Sequence, residues 1–367
     1  MVDQLSVGVF GGLGSMASPM ARHWSPSSPV RVVCVHDRNG SGVQRERRRE
    51  AWRQHGASLV PTVSEVLAPP ELDGVFVCCG KNGDDLALIA EIAGMLSSKL
   101  RRQFLCHMST VTAGFAAAAT EFCNSLGVDY VNYPLTGGPA GAEKGTMLIL
   151  ASGSREVFEH LSPSLSLIGV PRYFGNSASA AAEVKLMGQA MVFNGLIGIC
   201  SAAALYAECF QGGAVGGPEQ STFFDFLNTG AGGTRQWDVA LSNGVRSDVW
   251  DAGFLISYAA IDAIYAADLC LKRGVSAIAV RPLVDVALAF SFVLNTVGQQ
   301  FATHVIVREM VSQRAHELDS FIARHSGSTR DLGELIQRCV ESLPEELQQK
   351  VALDITASDF SKSTLPS

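Results

Sequence analysis

A chain of 367 residues, 47% of them hydrophobic, is long enough for about two domains, each with its own buried core. A formal charge of −7 excludes the basic surface that a nucleic-acid partner requires, and nine irregularly placed cysteines exclude a disulfide framework. No Cys/His spacing suits a metal and no secretory leader precedes the first apolar run, so a reducing, cytoplasmic setting is expected.

The first 150 residues alternate short β-branched runs with helical stretches. Strands are expected at Leu5–Gly11, Val30–His36, Gly74–Cys79, Phe104–Met108, Val128–Tyr133 and Met147–Ala151. Helices are expected near Met16–Trp24, Val43–His55, Asp84–Leu100 and Thr112–Leu126. Such alternation implies an α/β domain built on a parallel sheet, with ligands bound beyond the C-terminal strand ends. The opening stretch VGVFGGLGSMASPMA reads as strand, glycine turn and helix, and from Gly12 it spells G-x-G-x-x-A, a form of the dinucleotide fingerprint. In that reading, free N–H groups and a helix dipole meet a pyrophosphate.

The second strand ends at Asp37-Arg38-Asn39. A carboxylate there pairs with a ribose 2′-hydroxyl and repels a 2′-phosphate, which favours NAD; Arg38 keeps NADP open. The run Arg45, Arg47, Arg48 and Arg49, laced with Glu46 and Glu50, reads as a solvated helix face. Ser109-Thr110 follows a strand, where a hydroxyl caps the next helix or faces the nicotinamide end of a cofactor.

The segment Pro134–Gly153, PLTGGPAGAEKGTMLILASG, offers a hydroxyl at Thr136 and backbone N–H groups at Gly137 and Gly138, a cradle for a carboxylate. From Ser177 the strand pattern stops. Ala178–Phe210 is apolar but interrupted by Glu183, Lys185 and Glu208, which favours a buried helix over a membrane span. Helices are expected at Phe223–Leu227, Thr234–Leu241, Ile256–Arg273 and Arg281–Glu317. After Gly327 the chain turns polar, with a helical segment at Leu332–Leu343 and the look of a loosely attached tail. Lys185 is either a lysine snorkelling from a helix or a partly buried base, and burial suits it to exchange a proton with a hydroxyl. Gln189 lies one turn further on the same face.

The order GLGSMASPMA, MSTV, PLTGGPAGAEKGTMLILASG and then Lys185 on a long helix resembles the β-hydroxyacid dehydrogenase family, over roughly Leu5 to Val297. The resemblance implies a Rossmann-type domain over 1–176 and an all-α domain over 177–326, entered by a long helix and forming a homodimer or homotetramer. Residues 327–367 fall outside it as a tail. It implies that Gly12, Leu13, Gly14, Ser15 and Met16 hold the pyrophosphate and that Asp37, Arg38 and Asn39 meet the adenosine ribose. Cys79 and Gly80 then line the cofactor, with Thr110 near the nicotinamide ribose. Thr136, Gly137 and Gly138 would take the substrate carboxylate, Gln189 and Phe254 would contact substrate, and Lys185 would be the general acid/base. The expected activity is NAD(P)-dependent interconversion of a small 3-hydroxy acid and its semialdehyde or keto form, with no metal and no membrane. An imine reductase and a cofactor-binding scaffold without catalysis are the alternatives. The chain departs from the family at Ser179 and Ala181 where glycines are usual, at Gln189 where asparagine is usual, at Ile261 where a lysine precedes the aspartate, and at Thr136 where serine is usual.

Overall fold

The computed structural model describes residues 4–38, 40–79 and 84–356. It divides into two units, the first running to Lys185 and the second covering Leu186–Val351.

Six parallel strands form the first unit's main sheet: β1 (Leu5–Phe10), β2 (Val30–His36), β3 (Ser58–Leu59), β4 (Gly74–Val77), β5 (Phe104–His107) and β6 (Asp129–Asn132), in spatial order β3-β2-β1-β4-β5-β6. Strand alternation sends successive side chains to opposite faces. Val7, Val9, Phe76 and Cys106 enter one core, whereas Phe10, Val75, Val77 and Leu105 enter the other. Helices α1 (Val43–Gln54), α2 (Val63–Leu67), α3 (Asp84–Leu96) and α4 (Ala113–Ser125) make the crossovers. The strand order reverses between β1 and β4, and the loops leaving their C-terminal ends are Gly11–Gly14 and Cys78-Cys79. In doubly wound sheets that reversal point is where ligands bind.

A smaller sheet follows, with β7 (Leu135–Thr136) antiparallel to β8 (Met147–Ala151) and β8 parallel to β9 (Gly169–Tyr173). Helix α5 (Gly138–Lys144) joins β7 to β8, and α6 (Arg155–Leu165) joins β8 to β9. Three of these strands escape the sequence pattern: β3 and β7 are two residues long, and β9 contains Pro171.

The helix expected at Met16–Trp24 does not form. Only a 3-10 turn, Ser18–Arg22, follows the glycine turn, with Pro19 near its start. Proline lacks the N–H that a continuing helix needs and disfavours helical geometry in the residue before it. The helix-dipole argument for a pyrophosphate therefore loses its helix.

Helix α7 (Ala180–Phe210) matches the long apolar run and crosses from the first unit into the second. The second unit also holds α8 (Pro218–Leu227), α9 (Ser242–Ser247), α10 (Ile256–Lys272), α11 (Ala277–Thr296), α12 (Ser312–Ser326), α13 (Leu332–Ser342) and the start of α14 (Glu345–Thr356). The expected helix at Thr234–Leu241 is a π-turn at Trp237–Leu241 that runs into α9. The expected Arg281–Glu317 stretch is divided by Gly298 and a 3-10 turn, Thr303–Glu309, between α11 and α12. By length and composition α7 and α11 each suffice to cross a bilayer. Within the second unit, α11 buries most of its side chains, and Asn295 donates to the carbonyl of Ser342 on α13 at 2.9 Å. The stretch after Gly327 is tied in more firmly than its polarity suggests. Asp331 caps α13, and Leu335, Ile336, Cys339 and Val340 are buried.

Candidate active site

The glycine turn is shaped by what surrounds it. Gly11 adopts φ +74°, and a Cβ on it would lie 2.3 Å from Cys79 Cβ. A Cβ on Gly12 would lie 2.3 Å from Val35 Cγ1, so β2 and β4 close on the turn from both sides. Donors then fix its carbonyls. Trp52 Nε1, on the buried face of α1, donates to Gly12 O at 2.8 Å, and Arg48 Nη1 donates to Leu13 O at 2.8 Å. All four of the turn's own N–H groups are spent inside the protein: Gly11 and Gly12 donate to His36 O at 2.8 and 3.4 Å, Leu13 to Asp37 Oδ2 at 2.8 Å and Gly14 to Gly11 O at 3.0 Å. By contrast, the backbone N–H groups of Ser15, Met16 and Ala17 donate to no acceptor among the described residues. Three successive open donors beyond a turn that admits no Cβ fit the pyrophosphate of a dinucleotide.

At the end of β2, the carboxylate of Asp37 accepts from Leu13 on one oxygen and from Arg45 Nη2 on the other, the latter at 2.7 Å. Arg45 also donates to the carbonyl of Arg38 at 2.7 Å, and Arg49 Nη2 to that of Gly40 at 2.7 Å. The arginine run is thus not simply a solvated face: Arg45, Arg48 and Arg49 fold back on the β2 loop and the glycine turn, and Arg49 and Arg53 hold Glu46. Asn39 and Gly80, both expected at the cofactor, lie outside the described residues.

The β4 end contributes Cys78 and Cys79. Burial pushes the Cys78 thiol up to about 12, with the Asp37 charge adding to it, and pushes the Cys79 thiol higher in the same way. Both are neutral wall residues rather than nucleophiles. Ser109 Oγ donates to Cys79 O at 3.2 Å, tying β5's exit to β4's. Capping of α4 falls to Thr112, whose side chain accepts from Phe115 N at 3.1 Å, so Ser109 and Thr110 are not the cap. Sequence reading passed over Asn132, which is buried and donates to the carbonyls of His107 and Ser109, both at 3.0 Å. That side chain holds the Ser109-Thr110 turn in place. Beneath it, His107 lies fully buried, its Nδ1 3.0 Å from the hydroxyl of Tyr130, and burial pulls its pKa down to about 3.

On the smaller sheet, Thr136 ends β7, and Gly137 and Gly138 turn away from it with φ +132° and +65°. Ser152 Oγ accepts from Ala181 N at 2.9 Å, which anchors the start of α7 to the end of β8. One turn later, Lys185 is buried to 7% exposure; its Nζ donates to Leu135 O at 2.9 Å and to Thr136 Oγ1 at 3.2 Å. A lysine that sequence spacing leaves 49 residues from Thr136 is therefore in contact with it. It is not a snorkelling surface side chain.

In the second unit, Gln189 is buried and donates its amide to Asp262 Oδ2 at 2.5 Å. Asp262 and the neighbouring Ile261 are both buried on α10. Phe254 stacks on Phe193, ring centroids 6.3 Å apart.

A family model described as the NAD binding domain of 6-phosphogluconate dehydrogenase matches residues 6–178. Relatives include YkwC, an uncharacterized oxidoreductase of Bacillus subtilis, 25% identical over 251 residues that cover 68% of this chain and 80% of the relative. The 2-(hydroxymethyl)glutarate dehydrogenase of Eubacterium barkeri is 26% identical over 255 residues, covering 69% of this chain and 78% of that one. A solved structure of a 3-hydroxyisobutyrate dehydrogenase from Salmonella typhimurium shares the fold, with a TM-score of 0.67 at 16% identity over 83% of this chain and 99% of that one. The matched domain spans the sheet reversal and the glycine turn just described, and the chain is an oxidoreductase whose NAD-binding domain is similar to that of the β-hydroxyacid dehydrogenases.

Proposed function

We propose that this protein interconverts a small 3-hydroxy acid and its semialdehyde or keto form, with Lys185 as the general acid/base. The observation that carries the proposal is the buried Lys185 Nζ held on Leu135 O and Thr136 Oγ1, beside two glycines of positive φ. The pair of acceptors fixes where the amine sits, and positioning of this kind contributes much of the rate in proton transfer.

In this reading Gly12, Leu13 and Gly14 shape the turn, and the open N–H groups at Ser15 and Met16 hold the pyrophosphate, with Asp37 and Arg38 at the adenosine ribose and Cys79 and Thr110 lining the way to the nicotinamide. The nicotinamide, when bound, supplies the two-electron hydride acceptor or donor. Lys185 takes the proton of the substrate hydroxyl in oxidation and returns it to the carbonyl oxygen in reduction. Thr136 Oγ1 and the N–H groups of Gly137 and Gly138 hold the carboxylate and so fix which carbon presents its hydrogen. Within the second unit the Gln189 amide is oriented by Asp262. The loss of a cation at Ile261 supports a substrate with a single carboxylate.

Exposed Met187, Met191, Leu205 and Phe210 on α7 and Phe226 on α8 support self-association through helical faces, as a homodimer or homotetramer, and we assign these faces to a second copy rather than to a bilayer. Light scattering on the purified protein tests that assignment, a monomer being the contrary result. The reaction is tested with a panel of hydroxy acids differing in chain length and carboxylate position, each offered with NAD and with NADP. Reduction of a nicotinamide cofactor that depends on a 3-hydroxy acid is expected. Tight cofactor binding without turnover on any member would point instead to a scaffold.

A further inference from the structure

The carboxylate at the end of β2 is the residue from which an unphosphorylated ribose would ordinarily be inferred, because free carboxylate oxygens accept from a 2′-hydroxyl and repel a 2′-phosphate. Here both oxygens already have protein donors. Leu13 N–H holds Oδ2 and Arg45 Nη2 holds Oδ1, at 2.8 and 2.7 Å. The second donor carries a full positive charge, so Asp37 presents little net negative potential to its surroundings. Two further guanidinium groups of α1 reach the same loops, Arg48 on Leu13 O and Arg49 on Gly40 O, while Glu46 and Glu50 lie with Arg49 and Arg53. Three arginines of α1 thus bond around this strand end, against the single carboxylate of Asp37.

Among the described residues Arg45 is held by two contacts, Asp37 Oδ1 and Arg38 O, through a single nitrogen, Nη2. Its Nε is buried and donates to no acceptor among the described residues, and its side chain is 30% exposed. A guanidinium fixed by one nitrogen can swing on that contact and offer its remaining donors as a fork, the geometry that suits a phosphate.

From this arrangement we infer that Arg45 makes the protein selective for a 2′-phosphorylated dinucleotide, with Asp37 serving as the internal anion that parks the guanidinium. The inference deepens the proposed function by naming the cofactor's phosphorylation state, and it rests on that reading only for the presence of a dinucleotide. Arg45 is the specificity determinant, and Asp37 acts through it.

The test uses two fragments that carry the difference and need no turnover: adenosine 2′,5′-bisphosphate and adenosine 5′-monophosphate, titrated calorimetrically into the full chain. The wild type is expected to bind the bisphosphate at least tenfold more tightly, with a preference that weakens as salt rises. Arg45→Gln should bring the two affinities within about threefold, because Asp37 regains a free oxygen for a ribose hydroxyl while the cation is gone. Asp37→Asn keeps an oxygen for Leu13 N–H and removes the competitor for Arg45, so it should tighten bisphosphate binding and leave the monophosphate little changed. If Arg45→Gln lowers the melting temperature too far to titrate, the Asp37→Asn result decides alone. Equal or tighter binding of the monophosphate by the wild type overturns the inference, as does an unchanged ratio in Arg45→Gln or a weakened bisphosphate complex in Asp37→Asn. Failure of the hydroxy-acid panel with the fragment preference intact would fault the reaction alone. Turnover with NAD alongside a monophosphate preference would fault this inference alone.

Discussion

The glycine turn and the lysine contact are built on opposite principles. Around the turn, shape is enforced many times over, by Val35 and Cys79 closing on Gly12 and Gly11 and by Trp52, Arg48, His36 and Asp37 bonding its backbone. At Lys185 one side chain meets two acceptors from the single short strand β7. The first region acts through backbone position, so a substitution there fails sterically. On the proposed function the second acts through one functional group, so a substitution there is expected to fail chemically rather than sterically.

The largest effect that sharpens this contrast is expected at Gly12. In Gly12→Ala the new methyl lies 2.3 Å from Val35 Cγ1, a buried branch of a central strand. Overpacking of this kind costs about 1–3 kcal/mol, and cofactor affinity should fall at least tenfold with it. Thermal melting and a fluorescence titration read the two losses, and a variant that binds cofactor normally would break the account of the turn. Thr136→Val probes the other side. It removes the Oγ1 that Lys185 donates to while keeping the strand residue's shape, and turnover should drop about tenfold with cofactor affinity unchanged. Equal losses in affinity and turnover would mean that the regions are not separable.

Trp52→Phe should cost less, about 1 kcal/mol, since Gly12 O loses its indole donor but the aromatic packing is largely kept. Urea titration measures it. The smallest effect at neutral pH belongs to His107. Its pKa is about 3 in the folded chain against an ordinary 6.5, so the unfolded chain binds a proton that the folded one refuses. Stability is therefore unaffected above pH 6.5 and falls as pH drops from there toward 3, by about 1.4 kcal/mol for each pH unit. His107→Asn should flatten that part of the pH–stability curve, and an unchanged slope would place the acid sensitivity elsewhere.

Much of the first unit was legible because central parallel strands are buried on both faces and write themselves as apolar runs. Val30–His36 and Met147–Ala151 coincide with their expected spans, and the other main strands differ by one or two residues at their ends. What stayed hidden depends on tertiary neighbours. Leu135–Thr136 is a strand only because β8 lies alongside, and Arg45 leaves a solvated face only because Asp37 is within reach. Pro19 was visible in the sequence and still outweighed by the pattern around it, so an expected helix shrank to a 3-10 turn. At the candidate site the residue types were readable, but the contact between Lys185 and Thr136 was not, since no spacing rule links positions on a strand and a distant helix.

The central claim is that Lys185 performs chemistry rather than holding β7 in place. It is tested most directly by measuring cofactor affinity, melting temperature and hydroxy-acid turnover together in Lys185→Ala and Lys185→Met. The account predicts cofactor affinity and melting temperature close to wild type, with turnover reduced about 10²–10⁴-fold, the usual worth of a positioned acid/base. Turnover that survives in either variant would contradict it.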